Sequence, residues 1–287
     1  MASYKFIIEN KHDGFQIKEY LKKVASVSSR QIKKLKAYPD GILLNGEHAI
    51  VIDVLHENDI LEINSHDDVK QYDYSGTVPD IVFEDENYLV VNKPYNMTVY
   101  LCGDVKENLL SSVCGFYHEK GIDFVFRPFY RLDKDTSGLV IIAKNALIMN
   151  STEIEKDYYA VCEGEVPSHG MIDTRIGLME GSRIRREAGE KGETALTEYT
   201  TLGFDGANSL VKLKIYTGRT HQIRVHMSSI GYPLCGDDLY DGHMDIIPRQ
   251  ALHCKTVTIR NKLINYEKTI DTDFPDDIRN AFPKLCT

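Results

Sequence analysis

The sequence predicts an α+β protein: a mixed, mainly antiparallel sheet with flanking helices, preceded by a small N-terminal helix-helix-hairpin domain. Three observations carry this. Strand-like apolar runs dominate after residue 79, the first 65 residues combine two short helical patterns with a turn-linked strand pair, and a polar stretch separates the two regions. The expected boundaries are 1–65 for the small domain, 66–79 for a linker and 80–287 for the larger domain. A chain of 287 residues, 42% of them hydrophobic, has enough apolar content to bury a substantial core.

Taken in order, "GFQIKEYLKKVA" places Phe15, Tyr20, Leu21 and Val24 near helical spacing, and "SSRQIKKLKAY" opens on serines suited to an N-cap. "GILLNG" reads as a strand ending in an Asn-Gly turn, and "DILEI" as a second strand after Asn58-Asp59. From Ser65 to Pro79, "SHDDVKQYDYSGTVP" is polar and nearly free of aliphatic residues, as a linker would be. "DIVFEDENYLVVNKP" is a hairpin turning at "EDEN", and "GLVIIAKN", "YYAVCEG" and "SLVKLKIY" are further strands. In the last, Val211, Leu213 and Ile215 face one way and Lys212 and Lys214 the other. "THQIRVHMSSIG" changes period: Ile223, Met227 and Ile230 form a helical stripe, and Gly231 stands where a C-cap belongs.

The 34 basic and 43 acidic residues give a net charge of −9, which at face value argues against a polyanionic partner. Distribution matters more than the sum. Between Lys18 and Lys36 there are seven basic residues (Lys18, Lys22, Lys23, Arg30, Lys33, Lys34, Lys36) against one acid, Glu19. A solvated helix face and a binding surface both fit that run. The six cysteines form no C-x-x-C pair, and neither a leader nor an apolar run of about 18 residues is present, so a reduced, soluble, cytoplasmic protein is expected.

Several chemistries are poorly supported. His221 and His226 lie five apart, on different sides of a helix, so together with Asp237 and Asp238 they make a poor metal set, and no metal is expected. Ser137 in "DTSGL" lacks the small-residue elbow of a nucleophilic serine. The glycines of "LCGDVKENLL" and "CEGEV" lack phosphate-cradling spacing. What remains is a carboxylate with arginines near strands. Arg131 and Asp133 in "YRLDKDTSGL" point the same way in an extended segment, just before a turn at Thr136 to Gly138. Asp133 fits either a turn-stabilising role or a reactive one. In "GRTHQIRVH", Arg224 falls on the first turns of a helix, where a cation opposes the dipole unless a carboxylate compensates it. For Arg219 and Arg224, ligand binding and ordinary ion pairing both fit.

"YRLDKDTSGL", "KDYYAVCEG", "ETALTEY" and "GRTHQIRVHMSSIGYPLCGDDLY", in this order, resemble the RluA-type pseudouridine synthases over about Asp80 to Phe282. "NKP" at Asn92 and "ALHC" at Ala251 resemble further family elements. The first 65 residues are similar to a small RNA-binding domain, named after a small-subunit ribosomal protein, whose two helices present a basic face to RNA.

The resemblance implies an isomerase that detaches uracil from ribose, turns it and rejoins it through carbon 5, with no cofactor or metal. Asp133 corresponds to the essential aspartate, acting as nucleophile or as base. Arg224 corresponds to the arginine that pairs with it, and Tyr158 to the tyrosine that stacks on uracil. Arg131 corresponds to the arginine that fills the gap left by a flipped base. Arg219, His221 and Gln222 of the same motif, and Arg30, Lys33, Lys34 and Lys36 of the basic run, are expected RNA contacts. The expected partner is structured RNA: ribosomal RNA first, transfer RNA second, with a monomeric protein. The rival from another class is a non-catalytic RNA-binding protein. Three departures stand out. Tyr130 replaces a histidine usual before the arginine, the "NKP" hairpin reads "YNMTVYLCGD" with Asn96 and Tyr100 in place of glycine and histidine, and the link between Asn145 and Tyr158 is short.

Overall fold

The computed structural model describes residues 2–66, 72–102 and 107–286. The remaining residues of the polar stretch, 67–71, lie outside the described residues. So do residues 103–106, which hold the glycine of "LCGDVKENLL" and the end of "YNMTVYLCGD".

The N-terminal elements are β1 (Ala2–Ile7), α1 (Ile17–Lys23), α2 (Ser29–Leu35), β2 (Ile42–Leu44), β3 (Glu47–His48) and β4 (Ile60–Ser65). Helix α2 begins at a reciprocal cap: Gln31 N donates to Ser28 Oγ at 3.3 Å and Ser28 N donates to Gln31 Oε1 at 3.0 Å. The Asn-Gly turn between β2 and β3 carries positive φ at both residues, 54° at Asn45 and 86° at Gly46, as a tight hairpin requires. The four strands order as β1-β4-β2-β3. Strand β1, alternating Tyr4 and Phe6 with Ser3 and Lys5, was not anticipated although its period of two is plain. Ile17, Leu21 and Leu35 of the helices are buried with Ile42, Leu61 and Ile63 of the sheet.

The larger region contains β5 (Ile81–Glu84), β6 (Tyr88–Lys93), α3 (Leu109–Glu119), β7 (Ser137–Ala143), α4 (Ala146–Ser151) and β8 (Thr152–Glu163). Then come β9 (His169–Asp173), β10 (Arg175–Leu178), β11 (Arg186–Gly189), β12 (Leu196–Phe204) and β13 (Asn208–Ile215). Helix α5 (Gln222–Ser229), β14 (Leu252–Asn261), β15 (Tyr266–Asp271) and α6 (Asp276–Ala281) complete it. A nine-stranded sheet runs β5-β6-β7-β14-β8-β13-β12-β9, with β15 beside β14. Among its described pairs only β7 with β14 is parallel. That agrees with the expected mixed, mainly antiparallel sheet. All seven residues of β7 are buried, as a strand covered on both faces must be.

The described part of the polar stretch, residues 72–79, forms no helix or strand and lies against α3, where Ser75 N donates to Ser111 O at 3.2 Å. The small region docks on α4 and the β5–β6 turn. Gln31 Nε2 donates to Ala146 O at 2.6 Å, and Tyr4 OH donates to Asn87 Oδ1 at 2.7 Å. The short link after Asn145 resolves into the six-residue α4, from which the chain passes straight into β8. Strand β8 therefore starts six residues earlier than the apolar "YYAVCEG" suggests.

Candidate active site

A turn just before β7 carries Asp133. Thr136 N donates to Asp133 O at 3.2 Å, so the backbone of Asp133 does close the turn, while its carboxylate is left about a third exposed. Two buried cations hold this turn by its carbonyls. Lys93, at the end of β6, is fully buried and donates to Pro94 O, Met97 O and Lys134 O at 2.8, 2.7 and 3.1 Å. Burial pulls its ammonium down to about 7, against the attraction of Asp135 and Asp133. Arg249, before β14, donates to Asp135 O at 3.1 Å and is anchored to Asp277 of α6 at 2.6 Å. Asn96 takes φ 58°, the left-handed conformation an asparagine tolerates where glycine is common. Gly138 cannot be replaced so easily, because at φ 120° an added Cβ would lie 2.4 Å from Cys254 O.

Arg224 comes from the first turn of α5. Its Nε and Nη2 donate to Asp237 Oδ2 and Oδ1 at 2.7 and 2.6 Å, and Asp237 is wholly buried. Its third nitrogen, Nη1, stands 3.8 Å from Asp133 Oδ2. The expected Asp133–Arg224 pair is thus present, but as the outer edge of a bidentate pair with Asp237. Burial works against the guanidinium charge, yet the bond to Asp237 and the attraction of Asp133 hold the proton more firmly than in free arginine. Asp237 is the compensating carboxylate that the helix position called for. Its signal in the sequence is the acidic pair of "GDDLY", which suits an arginine partner better than a metal. Among the described residues no cluster suits a metal ion.

Both residues face a cavity of about 760 Å³ that Tyr158, Tyr130, Lys156 and Arg131 also line. Tyr158 is 5% exposed, on β8 opposite Cys254. Burial and the neighbouring thiol keep its hydroxyl neutral well above the usual range. A bulge in β14 between Cys254 and Thr256 sits at this point and re-aims the strand beside the cavity. Tyr130, the departure before Arg131, donates its hydroxyl to Leu139 O at 2.8 Å. Its ring lies 4.1 Å beneath the Lys156 ammonium. Tyr100 is on the rim, 39% exposed.

The other expected RNA contacts separate. Arg131 is exposed at the cavity and has no ion pair among the described residues. Arg219 is tied to Glu193 at 3.1 Å and to Thr194 O at 3.0 Å. His221 caps α5 in a left-handed conformation, φ 58°, with Nδ1 2.8 Å from Tyr240 OH. Gln222 is 3% exposed and fully used inside the protein. It accepts from Thr217 Oγ1 and Arg219 N and donates to Leu196 O and Thr197 Oγ1. No donor or acceptor is spare there for RNA, so the expected contact gives way to a bracing role. Arg30, Lys33, Lys34 and Lys36 stand exposed on and just after α2.

Comparisons with known proteins give this geometry a context. A family model described as RNA pseudouridylate synthase matches residues 87–229. The protein called uncharacterized RNA pseudouridine synthase YjbO of Bacillus subtilis is 34% identical over 274 residues, covering 91% of this chain and 96% of that protein. The ribosomal large subunit pseudouridine synthase D of Pseudomonas aeruginosa is 33% identical over 221 residues, 69% of each chain. Among solved structures, human RNA pseudouridylate synthase domain containing 1 superposes with a TM-score of 0.57 at 27% identity, over 72% of this chain and 86% of that one.

Proposed function

The chain belongs to the RluA-type RNA pseudouridine synthases, which are isomerases, and we propose that it converts uridine to pseudouridine in ribosomal RNA with Asp133 as nucleophile or base. The observation that carries the site assignment is the Asp133 carboxylate. It is a third exposed, opens on the cavity, and is faced at 3.8 Å by an arginine that a second, buried carboxylate holds in place. A guanidinium so placed favours the ionised form that attack or proton abstraction needs. The ribosomal target is supported by the relatives named for the ribosomal large subunit and by the basic face of α2.

In this reading a flipped uridine enters the cavity and Tyr158 offers its ring to the base. Arg131, exposed at the cavity, enters the RNA where the base has left. Asp133 attacks C1′ or takes the C2′ proton, and the C1′–N1 bond breaks with its electron pair leaving on uracil. The ring turns and C5 bonds to C1′ as the Asp133–C1′ bond breaks or, on the other route, as Asp133 returns the proton to C2′; the C5 proton then leaves and N1 gains one. Substrate and product are isomers, so the balance closes without a cofactor. Residues 1–65 are read as an RNA-binding domain, 66–79 as a linker and 80–287 as the catalytic domain of a monomeric, cytoplasmic protein.

The test is tritium release from ribosomal RNA carrying uridine labelled at C5, taken from cells that lack the protein. Wild type is expected to release tritium and Asp133→Asn none above background. Equal release by both removes Asp133 from the chemistry.

A further inference from the structure

Among the cations lining the cavity, Lys156 is the one that is part-buried without an anion. Arg224 is bound to Asp237 and Arg219 to Glu193, Arg131 is open to solvent, and the nearby Lys93 and Arg249, outside the lining, are spent on backbone carbonyls or Asp277. The acids beside Lys156 on β8 are engaged elsewhere: Asp157 pairs with Lys212 at 2.7 Å and Glu155 with Lys214 at 2.9 Å. Lys156 itself makes no hydrogen bond or ion pair among the described residues. Its ammonium rests over the Tyr130 ring at 4.1 Å and stands 5.9 Å from the centre of the Tyr158 ring. Two residues apart on one strand, Lys156 and Tyr158 share a face, so the charge lies alongside the surface proposed for the base. An ammonium part-buried without an anion is costly unless an anionic ligand arrives to complete it. The aromatic wall around it suits a planar base better than a phosphate.

We infer that Lys156 is a catalytic residue that holds the detached uracil through O2 or O4 while the ring turns between its two bonds to ribose. The inference rests on the proposed reaction. When C1′–N1 breaks, the electron pair of that bond leaves with uracil, and the negative charge spreads from N1 to O2 and O4. A fixed ammonium stabilises that charge only after it forms, which is the condition for raising kcat. It also keeps the free ring from leaving before C5 bonds to C1′. Tyr130 thereby gains a role: its hydroxyl is tied to Leu139 O, and its ring carries the ammonium at the height of the base.

Wild type, Asp133→Asn, Lys156→Met, Lys156→Gln and Lys156→Arg are compared on the same ribosomal RNA at several concentrations, with melting temperatures measured alongside. The expected result for Lys156→Met is a kcat lower by about 100-fold with KM changed less than about threefold, and partial recovery in Lys156→Arg. Lys156→Gln, which keeps a polar chain, gives the same loss and serves where the Met variant melts early. RNA containing 5-fluorouridine, which carries fluorine in place of the C5 proton and so cannot complete the final proton loss, isolates bond breaking and rejoining. The same loss is expected in the rearrangement itself. Wild-type kcat in both neutral variants overturns the inference, as does a raised KM at unchanged kcat, which marks a phosphate contact. An unimpaired 5-fluorouridine rearrangement also overturns it. A wild-type protein that makes no pseudouridine, or an active Asp133→Asn, brings down the reading of the site as a whole. Inactive Asp133→Asn beside a fully active Lys156→Met brings down the lysine assignment alone.

Discussion

At the cavity, Arg224 is 7% exposed and gives two nitrogens to a carboxylate that is wholly buried, whereas on the α2 side Arg30, Lys33, Lys34 and Lys36 stand in solvent with no ion pair among the described residues. Both regions concentrate positive charge, and each uses it differently. A buried guanidinium must have a fixed partner, and that partner fixes its geometry toward Asp133. Solvated ammonium groups cost little to leave unpaired, and so remain free to exchange counterions for phosphates. On the proposed function, charge in the first region sets positions for chemistry and charge in the second sets affinity.

The sharpest way to break this contrast is to remove the buried partner. Asp237→Asn keeps the shape of the side chain but leaves Arg224 without its counter-charge. Losing one member of a buried pair costs about 3–5 kcal/mol. Urea unfolding is expected to show that loss, together with a fall in kcat as Arg224 is freed to shift against Asp133. A variant with wild-type stability and kcat would mean that Arg224 is held by something other than Asp237.

A second way uses protons. His253 is fully buried beside Ser137, with 2.9 Å between Nδ1 and Ser137 Oγ, next to the strand that follows Asp133. Burial, with Arg249 and Lys255 adding repulsion, pushes its proton affinity down to about 3. The unfolded chain takes that proton near pH 6.5. Between pH 6.5 and 3 the unfolded state therefore binds a proton that the folded state refuses, and stability falls as pH falls through that window. Lys93 acts in the same sense on the alkaline side. The folded state releases its proton at about 7 while the unfolded chain keeps it to about 10.4, so stability rises with pH between those values. Urea midpoints of wild type and His253→Gln are expected to converge on going from pH 7 to pH 4. Parallel curves would show that the histidine titrates normally.

Much of this was legible in the residues because local patterns set it. The alternation of Val211 and Leu213, the Asn45-Gly46 turn and the stripe ending at Gly231 each follow from short-range geometry, and each is found. Helix α3 was also signalled locally, by Asn108 at its N-cap, but its run of small and polar residues hid the apolar face. Strands β9 to β11 are hidden in the sequence because they are short and mostly exposed, and the nine-residue β12 because threonines and a glutamate dilute its apolar alternation. The proposed site residues Asp133, Arg224 and Tyr158 stand in ordered motifs, whereas the contacts that hold them do not follow from those motifs. Asp237 is 13 residues from Arg224, and Arg249 reaches Asp135 across 114 residues. Such partners are chosen by the sheet order, which places β14 between β7 and β8, and no local pattern encodes that.

The smallest expected effect on stability comes from the exposed region. Changing Lys33, Lys34 and Lys36 together to Gln removes three solvated charges near the end of α2 and touches no buried partner. Folding stability should stay within about 0.5 kcal/mol of wild type. RNA affinity should behave differently. Each lysine that contacts a phosphate contributes a counterion-release increment of roughly 0.7 to 0.9 to the slope of log K against log salt, so the slope should flatten by up to about 2 to 3. At saturating RNA, kcat should not change, because none of the three lysines lines the cavity. Measured by RNA binding at several salt concentrations, an unchanged slope would make α2 an ordinary solvated surface. A fall in kcat at saturation would instead mean that α2 helps to place the target uridine, and the division between affinity and position would have to be redrawn.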